Sequence, residues 1–527
     1  MPTPADPIWN PLRHGTFRAF WLASLVSNLG TMMQSVGAAW LMTSLSASPV
    51  LVALVQTATN LPTFVFALVA GALADIVDRR MLILATQTWM LLSALLLGLL
   101  TLTGHATPFA LLALTFSLGA GAALNAPALQ AIVPELVPRD ELTEAITLNS
   151  AGFNLARAAG PALGGLVVAI LGVGMTFMLN AVSFLAMILT VFRWPRVSEE
   201  SSLPAERMRA AMRNGLRYAR HSPDIQVVLV RAGTFILFAS ALWALMPLIA
   251  RNLLNTGPTG YGLLLGFFGA GAVAGALAMP RIRLVASLDT LLTVGSIAYA
   301  AAMLVLATSR TLALSGFAML AAGAAWLLIL SGFNTSVQWA VPPWVRGRTM
   351  SLYLLVVFGG LSVGSPLWGA LAEASSLPVA LVAAGLGMLA SLFVVSRYRL
   401  DAIERRDLTP SMHWPEPILA AQPAPDEGPV FITMTYQIDP ARRDDFLCAM
   451  HEVRRLRLRN GALRWNLLRD PNDPSHYVEI FVDETWLAHM RLHERPTLAD
   501  RELEARAWSF HVGDRPPEIR HYFGEPF

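Results

Sequence analysis

The sequence predicts an all-α membrane protein of twelve transmembrane helices in two pseudo-symmetric six-helix halves, followed by a small soluble α+β domain. Three observations predict this. The 527 residues are 55% hydrophobic and 14% charged, with a mean hydropathy of +0.53, too apolar for a soluble protein of this size. Apolar runs of span length recur up to residue 397, and several landmarks repeat at one offset. Beyond that point the composition changes to that of a soluble domain.

The apolar runs are long enough to cross a bilayer, because about 20 residues cover about 30 Å of hydrocarbon. The first run is too long for the core of a cleavable signal peptide, and more runs follow it, so we expect it to be retained. An even number of spans puts both termini on one side. The predicted spans lie near residues 17–44, 50–74, 81–104, 108–132, 143–171, 174–193, 225–252, 260–283, 288–308, 311–340, 349–373 and 377–397.

Arginine decides which side holds the termini, since all 38 basic residues are arginine. With the N-terminus in the cytoplasm, the inner segments carry arginines from Arg13 to Arg406, whereas the outer loops carry only Arg251 and Arg310. This asymmetry predicts a multi-pass protein of the plasma membrane with both termini cytoplasmic. The lipid bilayer is therefore a partner and nucleic acid is not. No phosphate-binding loop of the Walker type is present, which excludes ATP hydrolysis as the expected energy source.

The chain also repeats itself. GALAD at residues 71–75 recurs as GALAM at 275–279, an offset of 275 − 71 = 204. Val137-Pro138 recurs as Val341-Pro342 at the same offset, and PALGG at 161–165 is echoed by PLWGA at 366–370. We expect an N-terminal half at 1–193, a basic amphipathic cytoplasmic linker at 194–224 and a C-terminal half at 225–400. Parallel repeats of this kind are typical of transporters whose substrate site lies between the halves.

The fifth predicted span holds the least ordinary stretch, GFNLARAAGPALGG at residues 152–165. Its glycines Gly160, Gly164 and Gly165 allow close approach of other helices, and Pro161 bends the span. Arg157 lies among them. Because a charged residue at the centre of a bilayer costs roughly 2.5–3.5 kcal/mol on insertion scales, we expect it to face a partner or a water-filled cavity.

Two motifs resemble those of the major facilitator superfamily. GALADIVDRR, from Gly71 to Arg80, is similar to the signature loop between its second and third helices: Asp75, Arg79 and Arg80 match, while Ile76 replaces the usual basic residue. The resemblance implies a cytoplasmic latch, and simple anchoring by the arginines is the alternative. The sequence Gly160-Pro161-Ala162-Leu163-Gly164-Gly165 resembles the antiporter motif of drug exporters in that superfamily. It implies a hinge and a tight interface, and ordinary small-residue packing is the alternative.

A narrower resemblance covers Ser27–Leu41 and Asn125–Gly165, which look like the branch that includes bacterial enterobactin exporters. It implies a secondary active transporter of the bacterial inner membrane. Such a protein exports a small organic molecule, siderophore-like or drug-like, by alternating access and proton antiport. The fourth-helix arginine of many proton-coupled relatives is absent from Leu111–Ile132. Arg157 is the coupling candidate in its place, and a coupling that runs differently is the alternative. Uptake instead of export is the alternative.

Polar side chains inside the spans form a second set of candidates. In hydrocarbon each needs a hydrogen-bond partner, which a neighbouring helix supplies as readily as a cargo molecule does. Substrate contact and helix pairing both remain open for them. The residues that could line a central cavity are Asn28, Gln34, Gln56, Asn60, Asn125, Asn154, Asn334 and Gln338.

Residues 401–429 form a proline-rich linker, and residues 430–527 have the pattern of a soluble cytoplasmic domain. Strand and helix periodicity alternate in the order β, α, β, β, α, β, which is ferredoxin-like. The segment resembles α/β barrels of the antibiotic-biosynthesis monooxygenase type, which implies a homodimer or a regulatory module, with a cargo-modifying domain as the alternative. His489 and His493 share a helical face at metal-compatible spacing, with His476 nearby. Without a third ligand or a catalytic acid, we expect no catalytic residue, metal or cofactor.

Overall fold

The computed structural model describes residues 9–194, 208–395, 397–398, 400, 407–411, 413–414 and 423–525. The chain forms two compact units. The first unit comprises residues 1–205, 231–332 and 354–398, and the second comprises residues 206–230, 333–353 and 399–527. Residues 195–207 of the predicted linker, and most of the proline-rich segment, lie outside the described residues.

Long helices account for nearly all of the chain up to residue 395. Eleven helices of the described part are long and apolar enough to cross a membrane. The other long helix, α1, has 31 residues but is less apolar, since Asn28, Gln34 and several Ser and Gly residues interrupt it. With α1 the predicted number of twelve is reached. The helices are α1 (Gly15–Leu45), α2 (Pro49–Ile76), α3 (Arg79–Leu102), α4 (Pro108–Ile132), α5 (Leu142–Leu171), α6 (Val173–Arg193), α7 (Met208–His221), α8 (Pro223–Leu248), α9 (Pro258–Val285), α10 (Leu288–Thr308), α11 (Leu312–Trp339), α12 (Arg346–Ala374) and α13 (Leu377–Val395).

Short polar signals start the helices. Ser48, Asp78, Thr107 and Ser287 each accept a backbone N–H from the first turn of the helix that follows. Such caps matter because the first four N–H groups of a helix have no partner within the helix. Each of these side chains supplies an acceptor for one such N–H group.

Within the first unit, α1 packs on α5 and α6, α2 packs on α4, and α3 packs on α4 and α6. In the second half, α10 packs on α13. Among the described residues, the halves meet where α5 and α1 pack against α9 and where α2 touches α12. The apolar core of the N-terminal half extends to the arginine-rich end of the bundle, where Phe17, Ile83 and Val133 are buried.

The second unit contains α7 and the C-terminal domain. The domain has strands β1 (Val430–Gln437), β2 (Arg464–Arg469), β3 (His476–Asp483) and β4 (Glu518–Phe523) and helices α14 (Arg443–Asn460), α15 (Trp486–Glu494) and α16 (Leu498–Trp508). Its sheet is antiparallel with the order β2-β3-β1-β4. The element order therefore matches the predicted one, with the second helical region divided into α15 and α16.

Alternation along the strands separates two faces of this sheet. On β1, Val430, Ile432, Met434 and Tyr436 are buried and form the core with residues of the helices, among them Phe446. The other face is not covered by the domain's own helices. Phe431 there pairs with Val482 on β3 and with Tyr522 on β4, and Phe431 and Tyr522 are 37% and 47% exposed.

The domain contacts the rest of the second unit through arginines. Helix α7 packs on α14, Arg213 forms an ion pair with Glu484, and Arg217 donates to the Gly461 carbonyl. The guanidinium of Arg495 lies 4.4 Å from the ring centre of Trp344, in the connection between α11 and α12.

Candidate functional site

The glycines of α5 lie where α1 comes closest. A Cβ added at Gly160 would lie 2.5 Å from Met32 Cβ, and one at Gly164 would lie 2.8 Å from Met33 Cα. Residues with side chains cannot occupy these positions at the same helix separation. The small-residue face predicted from the sequence is therefore a contact within the N-terminal half.

Gly165 lies on a different face of α5 and contacts the other half of the protein. A Cβ there would lie 2.7 Å from the Pro258 carbonyl oxygen and 2.8 Å from Gly262 Cα on α9. Further along, a Cβ at Gly269 would lie 2.9 Å from Ala158 Cα. A Cβ at Gly262 would also lie 2.9 Å from the Pro161 carbonyl oxygen, so the antiporter-like motif supplies both Pro161 and Gly165 to this backbone contact between the halves. Sequence reasoning did not identify the partner Gly262.

Helices α2 and α12 form the second contact between the halves. Thr57 Oγ1 donates to the Ser362 carbonyl at 2.9 Å. Near the start of α2, a Cβ at Gly369 would lie 2.7 Å from Ala53 Cβ and 3.0 Å from the Pro49 carbonyl oxygen. Gly165 belongs to PALGG and Gly369 to PLWGA, the two segments that the sequence predicts to be equivalent in the two halves.

Polar contacts close the halves on each other at the arginine-poor end of the bundle. Glu373 Oε2, at the end of α12, lies 2.5 Å from Ser48 Oγ and 3.2 Å from the backbone N of Val50, at the start of α2. Arg251 donates to the Thr43 carbonyl at the end of α1. We call Glu373, Ser48, Arg251 and Thr43 the end latch. Of these, the sequence singled out only Arg251, as one of two outer arginines.

Arg157 lies halfway along α5 and is half-buried. Exposed apolar side chains lie on both sides of this helix: at 100° per residue Leu155 and Leu166 lie opposite Arg157, whereas Phe153 and Leu171 lie on its own side. Asn154, three residues before Arg157, is exposed, and its Nδ2 donates to the Ser150 carbonyl at 2.9 Å. Among the residues that the structure describes, Arg157 forms no hydrogen bond or ion pair.

The other predicted cavity residues differ in their partners. Gln34 is buried and its Oε1 accepts from Asn180 Nδ2 at 2.5 Å. Asn125 is buried and accepts from Thr86 Oγ1 at 3.0 Å. These two amides therefore hold helices of the N-terminal half together.

The remaining amides pair along single helices or are half-buried. Asn60 Nδ2 donates to the Gln56 carbonyl at 2.8 Å, and Gln338 Nε2 donates to Asn334 Oδ1 at 2.6 Å, each within one helix. Asn28 is half-buried on α1. Their polar atoms lie at helix surfaces.

The signature loop contains two arginines that bind within the N-terminal half. Arg79 Nη1 lies 2.8 Å from Glu135 Oε1 and donates to the Ala131 carbonyl at 3.3 Å. Arg80 donates to the Phe192 carbonyl at 2.5 Å. Gly71 and Asp75 lie on α2 near its end, and their side-chain surroundings fall outside what the structure describes.

The C-terminal half has an ion pair of its own that sequence reasoning missed. Arg231 on α8 is 5% exposed, forms an ion pair with Asp289 at the start of α10 and donates to the Tyr398 carbonyl at 3.0 Å. The sequence signal was an arginine inside an apolar run with an aspartate at the start of a later helix.

The C-terminal domain buries a network of charges between sheet and helices. Arg457, Glu479 and Glu504 are 1%, 0% and 3% exposed in their side chains, and Arg457 bridges the two carboxylates. Burial alone would lower the pKa of Arg457, but Glu504 and Glu479 outweigh it and raise the pKa above its usual range. Burial acts to raise the pKa of Glu504, yet Arg457 and two hydrogen bonds lower it below its ordinary value.

Three histidines meet at one end of the same core. His489 Nδ1 lies 2.9 Å from Asp483 Oδ2, and His489 Nε2 lies 3.2 Å from His493 Nε2 and 3.1 Å from His521 Nε2. Burial, followed by the neighbouring imidazoles, lowers the pKa of His493 and of His521 to about 4. His476 lies apart, 3.7 Å from Asp470. In the described part of the chain, no group of three or more His, Cys, Asp or Glu side chains is arranged to hold a metal ion.

Comparison with known proteins places the chain among transporters. A family model described as transmembrane secretion effector matches residues 7–526. The multidrug efflux pump Tap of Mycolicibacterium fortuitum is 26% identical over 72% of this chain and 94% of its own length. The enterobactin exporter EntS of Salmonella choleraesuis is 27% identical over 73% of this chain and 94% of its own.

A solved structure shares the fold. A bacterial homologue of the human lysosomal transporter Spinster, in an inward-facing and occupied conformation, superposes with a TM-score of 0.59 at 16% identity. It covers 74% of this chain and 98% of its own. The likeness confirms the predicted fold of the membrane part.

Proposed function

The chain belongs to the transmembrane secretion effector family, and from that premise we propose that it is a secondary active exporter of a small organic molecule. Members of the family and the relatives above are transporters and not enzymes. The relatives' names include a multidrug efflux pump and an enterobactin exporter. Their names support a cargo that is drug-like or siderophore-like and a direction out of the cytoplasm.

The observation that carries the proposal is the closure of the halves at one end. The contact of Glu373 with the start of α2, the contact of Arg251 with the end of α1 and the Gly165–Gly262 contact all lie toward the arginine-poor end. With the arginine-rich end in the cytoplasm, this is an arrangement closed to the outside. Alternating access then requires the end latch and the α5–α9 contact to part when cargo is released.

Proton antiport is the proposed energy source, with Arg157 as the coupling residue. A guanidinium halfway along a span, with no ion pair in the described part of the chain, would place a positive charge in the proposed path of the cargo. This charge favours cargo molecules that present a carboxylate or a partly negative group to Arg157, and it repels cations. Asn28, Gln56, Asn60 and Asn154 of the first unit are proposed cargo contacts, as are Asn334 and Gln338 of the second unit. Gln34 and Asn125 would contact the cargo only if its binding breaks their hydrogen bonds with Asn180 and Thr86.

The signature loop is the proposed cytoplasmic gate. Arg79 and Arg80 already bind the ends of α4 and α6 and so hold the loop in place within its half. We assign Gly71 and Asp75, at the end of α2, to the contact that forms when the cytoplasmic side closes. Gly160, Pro161, Gly164 and Gly165 are the proposed hinge and sliding surface of α5.

The C-terminal domain is a proposed homodimerisation module. The row formed by Phe431, Val482 and Tyr522 crosses three strands on the face that the domain's helices leave uncovered. A second copy that packs the same face against it would bury these apolar side chains, since facing sheets of two subunits pack about 10 Å apart. Phe431→Arg in the full-length protein should then reduce the dimer fraction in detergent, measured by mass photometry.

Inverted membrane vesicles test the transport proposal. Enterobactin and ethidium serve as siderophore-like and drug-like probes, and vesicles without the protein are the control. An exporter with cytoplasmic side outward should load at least one probe when the lumen is acidic, without ATP. Collapse of the pH gradient with nigericin should abolish the loading. Loading that persists without a gradient, or that needs ATP, would contradict proton antiport.

A further inference from the structure

The segment before the C-terminal domain places a tryptophan inside the domain. Residues 407–411 with His413 and Trp414, which we call the strap, precede the first strand of the domain and run along α16. Leu498 N donates to the Thr409 carbonyl at 3.0 Å, and Ser411 N donates to the Pro496 carbonyl at 2.9 Å. The strap therefore lies along the domain, and its aromatic ring packs against the core.

Four groups surround the ring of Trp414. The Arg457 guanidinium carbon lies 4.7 Å from its centre, His493 meets it edge to face at 5.2 Å, and the ring of Phe481 lies 6.3 Å away. The indole Nε1 donates to Glu504 Oε2 at 2.8 Å. We call Arg457, Phe481, His493 and Glu504 the aromatic cage. These groups together can bind a flat aromatic molecule: the cation lies over its ring, aromatic side chains contact it, and the carboxylate accepts a hydrogen bond from its edge.

The stability of the domain does not by itself explain why charged side chains are buried in the aromatic cage. Two carboxylates, Glu479 and Glu504, share one guanidinium in the interior, and apolar residues of similar volume often serve a core equally well. Glu504 Oε2 also accepts from His413 Nε2 at 2.8 Å, so both of its strap partners, His413 and Trp414, come from outside the strands and helices of the domain. If the strap withdraws, Glu504 Oε1 keeps the guanidinium of Arg457, but the buried Oε2 loses both of its donors, and a ligand could replace them.

We propose that the aromatic cage is a binding site for a planar aromatic molecule with an N–H or O–H at its edge, and that Trp414 occupies it in competition with that ligand. The ligand is neutral or cationic, because the cage and Glu479 hold two carboxylates against one guanidinium. An anionic ligand would meet Glu504 at the point where Trp414 now donates. The proposal concerns binding by the domain and holds whether or not the protein exports cargo.

Binding of 5-fluoroindole to the purified full-length protein in detergent, observed by fluorine NMR, tests this. Trp414→Gly empties the cage, so it should bind 5-fluoroindole at least tenfold more tightly than the wild type does. It should also prefer this probe at least tenfold over 1-methyl-5-fluoroindole, which lacks the N–H. The wild type should bind 5-fluoroindole saturably at higher concentration, since the probe must displace Trp414.

Trp508→Gly is the matched control. Trp508 packs on the same core, but its buried Nε1 has no hydrogen-bond partner in the described structure. The cavity that Trp508→Gly leaves should therefore bind 5-fluoroindole and 1-methyl-5-fluoroindole with equal affinity. Trp414→Phe keeps a ring in place without the N–H, and should bind 5-fluoroindole with an affinity between those of wild type and Trp414→Gly. This variant tests the proposal if the glycine variant does not fold. Equal binding of both probes to Trp414→Gly, or no binding to the wild type and Trp414→Phe, would make Trp414 a fixed anchor and overturn the proposal.

Discussion

Gly165→Ala should shift the protein toward an outward-open state. Its added Cβ would meet the Pro258 carbonyl oxygen at 2.7 Å and Gly262 Cα at 2.8 Å, whereas ordinary contact begins at 3.4 Å. Both obstructing atoms belong to backbone, which cannot turn aside as a side chain can. The shortfall of about 0.7 Å must be met by moving α9 away from α5.

The size of the effect follows from the cost of overpacking. An extra methyl group forced into a close-packed contact costs typically about 1–3 kcal/mol. If alternating access parts α5 from α9, the cost falls on the closed state alone and shifts the equilibrium about 5- to 150-fold toward opening. Gly266→Ala is the matched control on the same interface, because its Cβ would meet Ala162 Cβ at 3.4 Å.

Cysteine labelling measures the shift. Cys448, the single cysteine of the chain, is first replaced by serine, and Ala53→Cys is introduced as the reporter. Ala53 is 0% exposed and lies against Gly369 one turn from the start of α2, so an impermeant maleimide reaches it only when the halves part. We expect labelling of intact cells to increase with Gly165→Ala and to stay unchanged with Gly266→Ala. Equal labelling of the two variants would refute the reasoning.

Three further predictions concern other parts of the chain. Glu373→Gln weakens the charge-assisted contact of the end latch, so labelling of the same reporter should increase severalfold, and Glu373→Asp should have a smaller effect. Arg157→Ala should abolish probe loading by inverted vesicles while leaving the amount of protein in the membrane unchanged. Because the pKa values of His493 and His521 are about 4 when folded against an ordinary 6.5, the unfolded chain binds their protons first as the pH falls. Their stabilising contribution is complete above pH 6.5 and is lost toward pH 4, so thermal unfolding of the domain should move to lower temperature over that range, less steeply in His521→Gln.

The spans could be predicted from the sequence because hydropathy is a local property. The fifth span is predicted at 143–171 and α5 runs from Leu142 to Leu171. The order of strands and helices in the C-terminal domain could be predicted for the same reason, since alternation of side chains reports the covered face of a sheet. Each of these features depends on neighbours along the chain.

Contacts between distant segments could not be predicted in this way. The glycine motif predicts that another helix comes close, but it does not show which helix. Nothing in the sequence around Gly262 marks this residue as the partner. Glu373 and Ser48 are separated by 325 positions in the chain, and a carboxylate at the end of a span looks like an ordinary interfacial residue. Only the packing of the two halves brings these groups together.

Strand register decides which histidines meet. His476 pairs with Gln437 at one end of β1, whereas Asp483, next to His489, lies at the other end opposite Val430. His521 pairs with Ile432, close to that second end, and so joins His489 and His493 in place of His476. Periodicity gave the strands but not the register, and the segment that holds Trp414 was predicted only as a linker.

The contact of Glu373 with α2 gives this helix a first turn that depends on the other half of the protein. Ser48, the residue before α2, accepts a hydrogen bond from the amide of Leu51, whereas the acceptor for the amide of Val50 is Glu373 on α12. When the halves part, that amide is exposed to water, and the start of α2 becomes free to fray. Opening would therefore be accompanied by a gain in chain entropy, which offsets part of the lost contact and keeps the two states close in free energy. The amide of Val50 would exchange its hydrogen with solvent at a rate that reports how often the outer end opens.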